Sequence, residues 1–372
     1  MMKKIIALVI CVLLVVAVFA ACSAEEAQQA ADQATEAAEQ AVEEATDTAE
    51  DAADAATDAA EPAATGESKT IAYLAYNLAD VWNEMGMDNF LYCADKAGYE
   101  VITQDAQNDA EKQVSQAEAM INQGVDMITV FPAATESAVT IVRMCNDAGI
   151  PVAVENAFMG DDAGDIVAQV ACQYADIGYA AVKYAAENIP DAKMLYVHGA
   201  PGLGVYEDYS IGVEQAEKDF ADKIVEVDRI NGEWATEPAY TVTLDYITKN
   251  GSDGFNVIFA NNDLEASGVY QALKEKGCED IPIISTGGSE EGFQLFNDGV
   301  EACNITAPVS IQGAQLFQFC YKYLNDIPIE ETKVPLAVIP IDHNNADEWM
   351  HWNDYEAALK YVNGIDGNGL GL

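Results

Sequence analysis

The chain has 372 residues, 63 of them acidic against 17 Lys or Arg, for a formal net charge of −46. Nucleic-acid binding needs cations clustered against phosphates, so this balance excludes it. It also excludes peripheral attachment to an anionic lipid surface.

The first element runs from Met1 to Ala21. Lys3 and Lys4 precede an apolar run from Ile5 to Phe19, and small residues follow. That order describes a secretory signal peptide. The run is about 15 residues, short of the roughly 20 that a membrane-spanning helix needs. Phe19-Ala20-Ala21-Cys22 resembles the lipobox of bacterial lipoproteins. The resemblance implies that Cys22 is acylated and becomes the first residue of a mature, extracytoplasmic protein anchored to the cell membrane. The other reading is an ordinary signal peptide in which Cys22 is incidental. Residues 22–68 form the second element. Ser23 to Ser68 holds 14 acidic residues, no Lys or Arg, and almost no large apolar side chain beyond Val42. Such a segment cannot bury a core and reads as a solvated stalk. Ala and Glu favour helix up to Pro62, while like charges four apart oppose it.

From Lys69 onward about 300 residues remain, enough for one or two buried domains. Ile71–Ala75 reads as a buried strand and Trp82–Ala97 as a helix stopped at Gly98. A strand at 100–102, a helix at 109–123, a strand at 127–131, a helix at 136–148 and a strand at 150–154 follow. Gly124 and Gly149 end the second and third helices, as glycine C-caps do. The alternation resumes with strands at 194–198, 223–228, 257–260 and 281–285 and helices at 207–220, 239–250 and 265–276. Strands alternating with helices of this length predict α/β structure with parallel sheets. Two such halves predict two lobes with a cleft between them.

Ligands of open α/β sheets bind beyond the C-terminal ends of the strands. There the chain places Tyr76 and Trp82, then Glu155-Asn156, the turn Gly199–Gly204 with Tyr209 beyond it, Asn261-Asn262-Asp263, and Thr286-Gly287. Amides, carboxylates, glycines and aromatic rings suit a small polar molecule. Gly199, Gly202 and Gly204 have the wrong order for a dinucleotide fingerprint. No Ser-His-Asp or Cys-His spacing points to a nucleophile. Cysteines 93, 145, 172, 278, 303 and 320 form no CxxC pair and read as small buried hydrophobes. His343, Trp349, His351 and Trp352 read as packing at a lobe crossing.

Four ordered segments carry a resemblance to the type I periplasmic solute-binding proteins of ABC importers, near their ribose- and galactose-binding branch. They are Thr103–Asp109, Gln123–Ile128, Ala148–Val152 and Asn261–Gly268. The resemblance covers residues 69–372. It implies two Rossmann-like lobes joined by three hinge crossings, the first at 69–172 plus 308–341 and the second at 173–307 plus 342–372. Carried over residue by residue, it implies ligand contacts from Trp82, Trp234 and Asn262. The family's Asp-Arg after strand four reads Glu155-Asn156 here. A later Arg reads Tyr209, and a late Asp reads Gly287. Because arginine's fork of donors clamps hydroxyls bidentately, a ribose-like mode is not expected.

The expectation is therefore a monomeric, non-enzymatic binding lipoprotein without cofactor or metal. It would hold a sugar, nucleoside or similar molecule through Tyr76, Trp82, Glu155, Asn156, Tyr209, Trp234, Asn262 and Gly287. Its partner would be an ABC permease, and the lipid on Cys22 would be its membrane link. The alternative is a sensor presenting the bound solute to a receptor or histidine kinase.

Overall fold

The computed structural model describes residues 68–202 and 204–366. The expected signal peptide, Cys22 and all of the stalk but its last residue lie outside them. Among the described residues no helix is long and apolar enough to cross a membrane.

Two six-stranded sheets organise the fold. The first has the order β2-β1-β3-β4-β5-β11 and the second β7-β6-β8-β9-β10-β12. The first contains β1 (Thr70–Ala75), β2 (Glu100–Asp105), β3 (Met127–Val130), β4 (Val152–Glu155), β5 (Gln169–Ala171) and β11 (Lys333–Pro335). The second contains β6 (Ala192–His198), β7 (Ile224–Asn231), β8 (Val257–Ala260), β9 (Ile283–Gly287), β10 (Glu301–Thr306) and β12 (Pro340–Ile341). Every pairing is parallel except β10 with β12. The central strands β1, β3, β6 and β8 are apolar because helices cover both of their faces. The edge strands β2 and β7 keep exposed positions.

Helices α1 (Val81–Ala97), α2 (Ala110–Gln123) and α3 (Thr135–Ala148) serve the first sheet. Each ends on a left-handed glycine: Gly98 at φ 75°, Gly124 at 76° and Gly149 at 73°. Helices α4 (Tyr174–Asn188), α5 (Val205–Asp219), α6 (Thr236–Asn250), α7 (Asp263–Lys276) and α8 (Glu290–Asn297) serve the second. Helix α9 (Val309–Leu324) returns to the first sheet and packs on α1. The pair α4–α5 meets at glycine: a Cβ on Gly212 would lie 1.7 Å from the Ala175 carbonyl oxygen. Gly212→Ala must part these helices and is expected to cost about 2 kcal/mol, or ~6 °C in melting temperature. An unchanged thermal unfolding curve would contradict this close approach.

The chain passes between the sheets after β5, after β10 and between β11 and β12. The third passage lies at 336–339, because Pro340 and Ile341 already pair with β10. The C-terminal segment departs from the expected partition. Residues 343–352 lie on the second lobe, where Trp349 stands 5.3 Å from both Phe293 and Phe296, and His343 stacks on Phe296. Helix α10 (Tyr355–Asp366) then packs on α1 and α9, which belong to the first lobe. The Tyr92 and Tyr355 rings meet at 5.5 Å, and Gln318 donates to the Val362 carbonyl at 2.8 Å. Ala358 and Val362 of α10 are fully buried in this packing.

All six cysteines in the described residues are free thiols, and five are buried. Burial pushes the thiols of Cys93, Cys145 and Cys172 up to about 12, so they are inert hydrophobes.

Candidate functional site

In a sheet of this order the chain leaves β1 and β3 toward opposite faces, and a crevice opens between their C-terminal ends. β1 is followed by Tyr76 and β3 by Phe131. In the second sheet, β6 is followed by Gly199 and β8 by Asn261. Topology alone therefore selects these four strand ends.

The first wall is aromatic. Tyr76 stands 5.6 Å from Phe131, and Trp82 meets the same ring edge-on at 6.1 Å. All three are half-buried. Trp82 sits in the first turn of α1, which Asp80 caps by accepting the Asn83 N–H at 3.1 Å. The Trp82 indole N–H reaches the Ala307 carbonyl at 3.4 Å, at the second crossing.

The second wall groups three rings tilted against one another. Tyr209 lies 5.3 Å from Tyr174 and 6.3 Å from Trp234. Tyr209 is buried, its hydroxyl paired with Thr286 Oγ1 at 2.8 Å, so it backs the wall. Trp234 is half-exposed and lies over Gly199, where a Cβ would come within 1.9 Å of the indole. Trp234 has φ 63° and Glu233 φ 56°. Left-handed backbone costs on the order of 1–2 kcal/mol per non-glycine residue, and such strain persists only where neighbours enforce it. Asn156, at φ 53°, accepts the Tyr174 O–H at 3.0 Å. That bond ties the end of β4 to the helix that begins the second lobe.

Two of the expected ligand residues serve the protein itself. Glu155 turns into the first lobe and is 1% exposed. Its carboxylate accepts from the Tyr73 hydroxyl and from Gln312 Nε2, so neither oxygen faces the cleft. Asn262 is the N-cap of α7: Oδ1 accepts the Glu265 N–H at 2.7 Å, and Nδ2 donates to the Trp234 carbonyl at 3.1 Å. The neighbouring Asp263 is a buried acceptor. It takes Ser285 Oγ, Asn304 Nδ2 and the N–H groups of Gly288 and Ser289, at 2.8 to 3.2 Å. This bonding shapes the loop after β9, where a Cβ on Gly287 would lie 2.3 Å from Asp263 Oδ2. The Gly287 carbonyl accepts the Trp352 indole N–H at 3.2 Å.

Two wall residues and one buried residue behind them are not marked in the sequence. Phe131 was masked by being read as the last residue of its strand. Tyr174 follows β5, a three-residue strand too short to signal itself. Glu265 looked like an ordinary acidic residue in a helix's first turn, yet it is fully buried.

The walls contain no Lys or Arg. Arg229, at the end of the neighbouring β7, is paired to Glu226 at 2.7 Å and lies over the Tyr196 ring. Burial pushes the Glu155 carboxyl up to about 7 and that of Glu265 up to about 8, from an ordinary 4.5. Between pH 4.5 and 8 the folded protein thus holds protons that the unfolded chain releases. Stability is full below about pH 4.5 at these groups and is lost as pH rises through 7 to 8. The melting temperature is expected to fall by on the order of 10 °C from pH 5.5 to 8.5. A rise over that interval would contradict the buried, neutral carboxyls.

A separate cavity of about 1040 Å³ lies among α9, the segments 328–341 and the C-terminal residues 347–361. It touches Gly287 and Gly288, but Tyr76, Trp82, Phe131, Tyr209 and Trp234 do not line it. The strand-end walls, which carry the polar and stacking groups, are the better site.

The model of the periplasmic binding protein domain family matches residues 71–327. The xylitol-binding protein of Mycolicibacterium smegmatis is 27% identical over 240 residues, covering 63% of this chain and 66% of that protein. The ribose import binding protein of Escherichia coli is 26% identical over 218 residues, covering 57% and 70%. The chain thus spans about two thirds of the length of these curated relatives. Among solved structures, a D-allose-bound ABC transporter solute-binding protein from Actinobacillus succinogenes matches with a TM-score of 0.68 and 22% identity, over 76% of this chain and all of that one. The myo-inositol-binding protein of Caulobacter matches with a TM-score of 0.66 and 18% identity, over 78% and 98%. At these identities the structural matches establish the fold.

Proposed function

The chain belongs to the periplasmic binding protein domain family, and from that premise we propose that it captures a small uncharged polar molecule, a sugar or polyol. The observation that carries this reading is the pair of aromatic walls at the strand ends, with no cation in either. Ring faces suit the C–H face of a sugar, and cation-free walls offer nothing to an anion. Asn156 and the peptide groups around Gly199 and Gly287 supply hydrogen bonds. Capture proceeds by hinge bending at the three crossings, which brings the walls together and excludes water. No bond is made or broken.

The xylitol- and ribose-binding relatives support a sugar-like ligand. The partner is then the permease of an ABC importer, and the protein acts outside the cytoplasmic membrane as a monomer. Acylation of Cys22 would hold it there, and the charged stalk would raise its local concentration at the permease.

Thermal-shift screening tests the ligand class. D-Ribose, D-allose, xylitol, myo-inositol, adenosine and ribose 5-phosphate are each added to the purified protein. A ligand at 100 times its Kd stabilises by about 2.7 kcal/mol, or several degrees. A neutral sugar or polyol should raise the melting temperature, and ribose 5-phosphate should not. Stabilisation by the phosphate alone would sink this reading.

A further inference from the structure

Asn231 Oδ1 accepts the Glu233 N–H at 3.0 Å, but both backbone groups of Trp234 are held from one place, the first turn of α7. The Trp234 N–H donates to Glu265 Oε1 at 3.0 Å, and its carbonyl accepts Asn262 Nδ2 at 3.1 Å. Resting on the site reading above, we propose that Glu265, acting with Asn262, is a positioning residue that sets ligand affinity by fixing the Trp234 ring. The walls identify Trp234 as a contact; they do not say what holds it.

Four observations converge. The loop needs a restraint, because Glu233 and Trp234 are both left-handed and neither is glycine. Glu265 is fully buried, whereas carboxylates in first turns usually stay at the surface beside the helix dipole. Space is cleared for it: a Cβ on Gly232 would come within 2.6 Å of Glu265 Oε1. Finally, the Asn262 amide is oriented by its own bond from the Glu265 N–H at 2.7 Å, so helix cap and loop clamp are one device. Gly232-Glu233-Trp234 and Asn262-Asp263-Leu264-Glu265 are two halves of that clamp. Gly199 provides the seat beneath the indole.

The clamp makes a distinctive prediction. Glu265→Met keeps the length of the side chain and removes the acceptor, whereas Glu265→Gln keeps an acceptor. Each variant is titrated with D-ribose, D-allose, xylitol and myo-inositol. Glu265→Met should bind at least tenfold more weakly than the wild type, and Glu265→Gln within threefold. In a Trp234→Leu background, Glu265→Met should change affinity less than twofold. The ligand-free protein labelled with 5-fluorotryptophan gives an independent readout. Its Trp234 fluorine resonance, identified by its loss in Trp234→Phe, should shift or broaden in Glu265→Met and stay in place in Glu265→Gln. If Glu265→Met does not fold, Asn262→Ser carries the same readout, since serine keeps the cap and loses the donor. An unmoved resonance in the folded Met or Ser variant overturns the clamp, as does a tenfold loss that persists without Trp234. Should none of the four compounds bind the wild type, the site reading fails, and the fluorine signal still decides the clamp.

Discussion

Trp234→Ala is expected to weaken ligand binding by about 100-fold while leaving the melting temperature within a few degrees of wild type. An indole half-exposed in the free protein becomes covered when the lobes close. Covering about 100 Å² of ring contributes about 2.5 kcal/mol by area, which is close to two decades in Kd. Stability is spared because Trp234 sits on a loop over Gly199, not in the core. Trp82→Ala should lose somewhat less, since its indole is already engaged with Phe131 and the Ala307 carbonyl. Calorimetric titration checks both. Full affinity in the two variants would remove the aromatic walls from the site.

Asp263→Ala is expected to have the larger effect on folding, costing on the order of 4 kcal/mol. The carboxyl is buried with four donors around it, from Ser285, Gly288, Ser289 and Asn304. Alanine leaves these donors without an acceptor in a space that water cannot fill cheaply. Asn304 also donates to Glu301, whose carboxyl burial holds well above its usual range. Losing Asp263 would therefore disturb a second buried acid. Denaturant unfolding measures the change, and a loss below 1 kcal/mol would show that the hub carries little. Because the hub also holds the Gly287–Ser289 loop, any variant that still folds should bind more weakly as well.

How much of this was legible in the sequence depended on how local each signal was. The first lobe's alternation was plain because Gly98, Gly124 and Gly149 punctuate it, and each is a left-handed C-cap. The strands β5, β11 and β12 were not, because strands of two or three residues are specified by their neighbours. Helix α4 buries a regular stripe, Ile177, Gly178, Ala181, Val182, Ala185 and Ala186, but alanine and tyrosine elsewhere on Tyr174–Asn188 hide it in the sequence. Position after a strand pointed to Tyr76, Trp82, Asn156, Tyr209 and Gly287, and the family resemblance pointed to Trp234. Position could not say which way a side chain points. Glu155 lies at the right strand end, yet Tyr73 and Gln312 draw it inward. Asn262 fits the expected ligand residue by spacing, yet its amide is spent on the helix cap and the Trp234 carbonyl. The importance of Glu265 arises only from a contact 31 residues away in sequence.

On the proposed reading a sugar is held without arginine. Tyr209, set by the resemblance where the family has an arginine, is a buried ring behind the wall, and Gly287 leaves room for the loop that Asp263 holds. Recognition would then rest on stacking and peptide groups rather than bidentate charge-assisted bonds, so affinity should depend weakly on salt. The exposed carboxylates elsewhere remain a solvated surface.

Small-angle X-ray scattering reads lobe closure directly. The protein is measured alone and with a saturating amount of whichever neutral sugar or polyol raises its melting temperature. The account predicts a smaller radius of gyration in the liganded sample, and a smaller change in Trp82→Ala with Trp234→Ala at the same concentration. Identical scattering curves for the wild type with and without a bound sugar would contradict it.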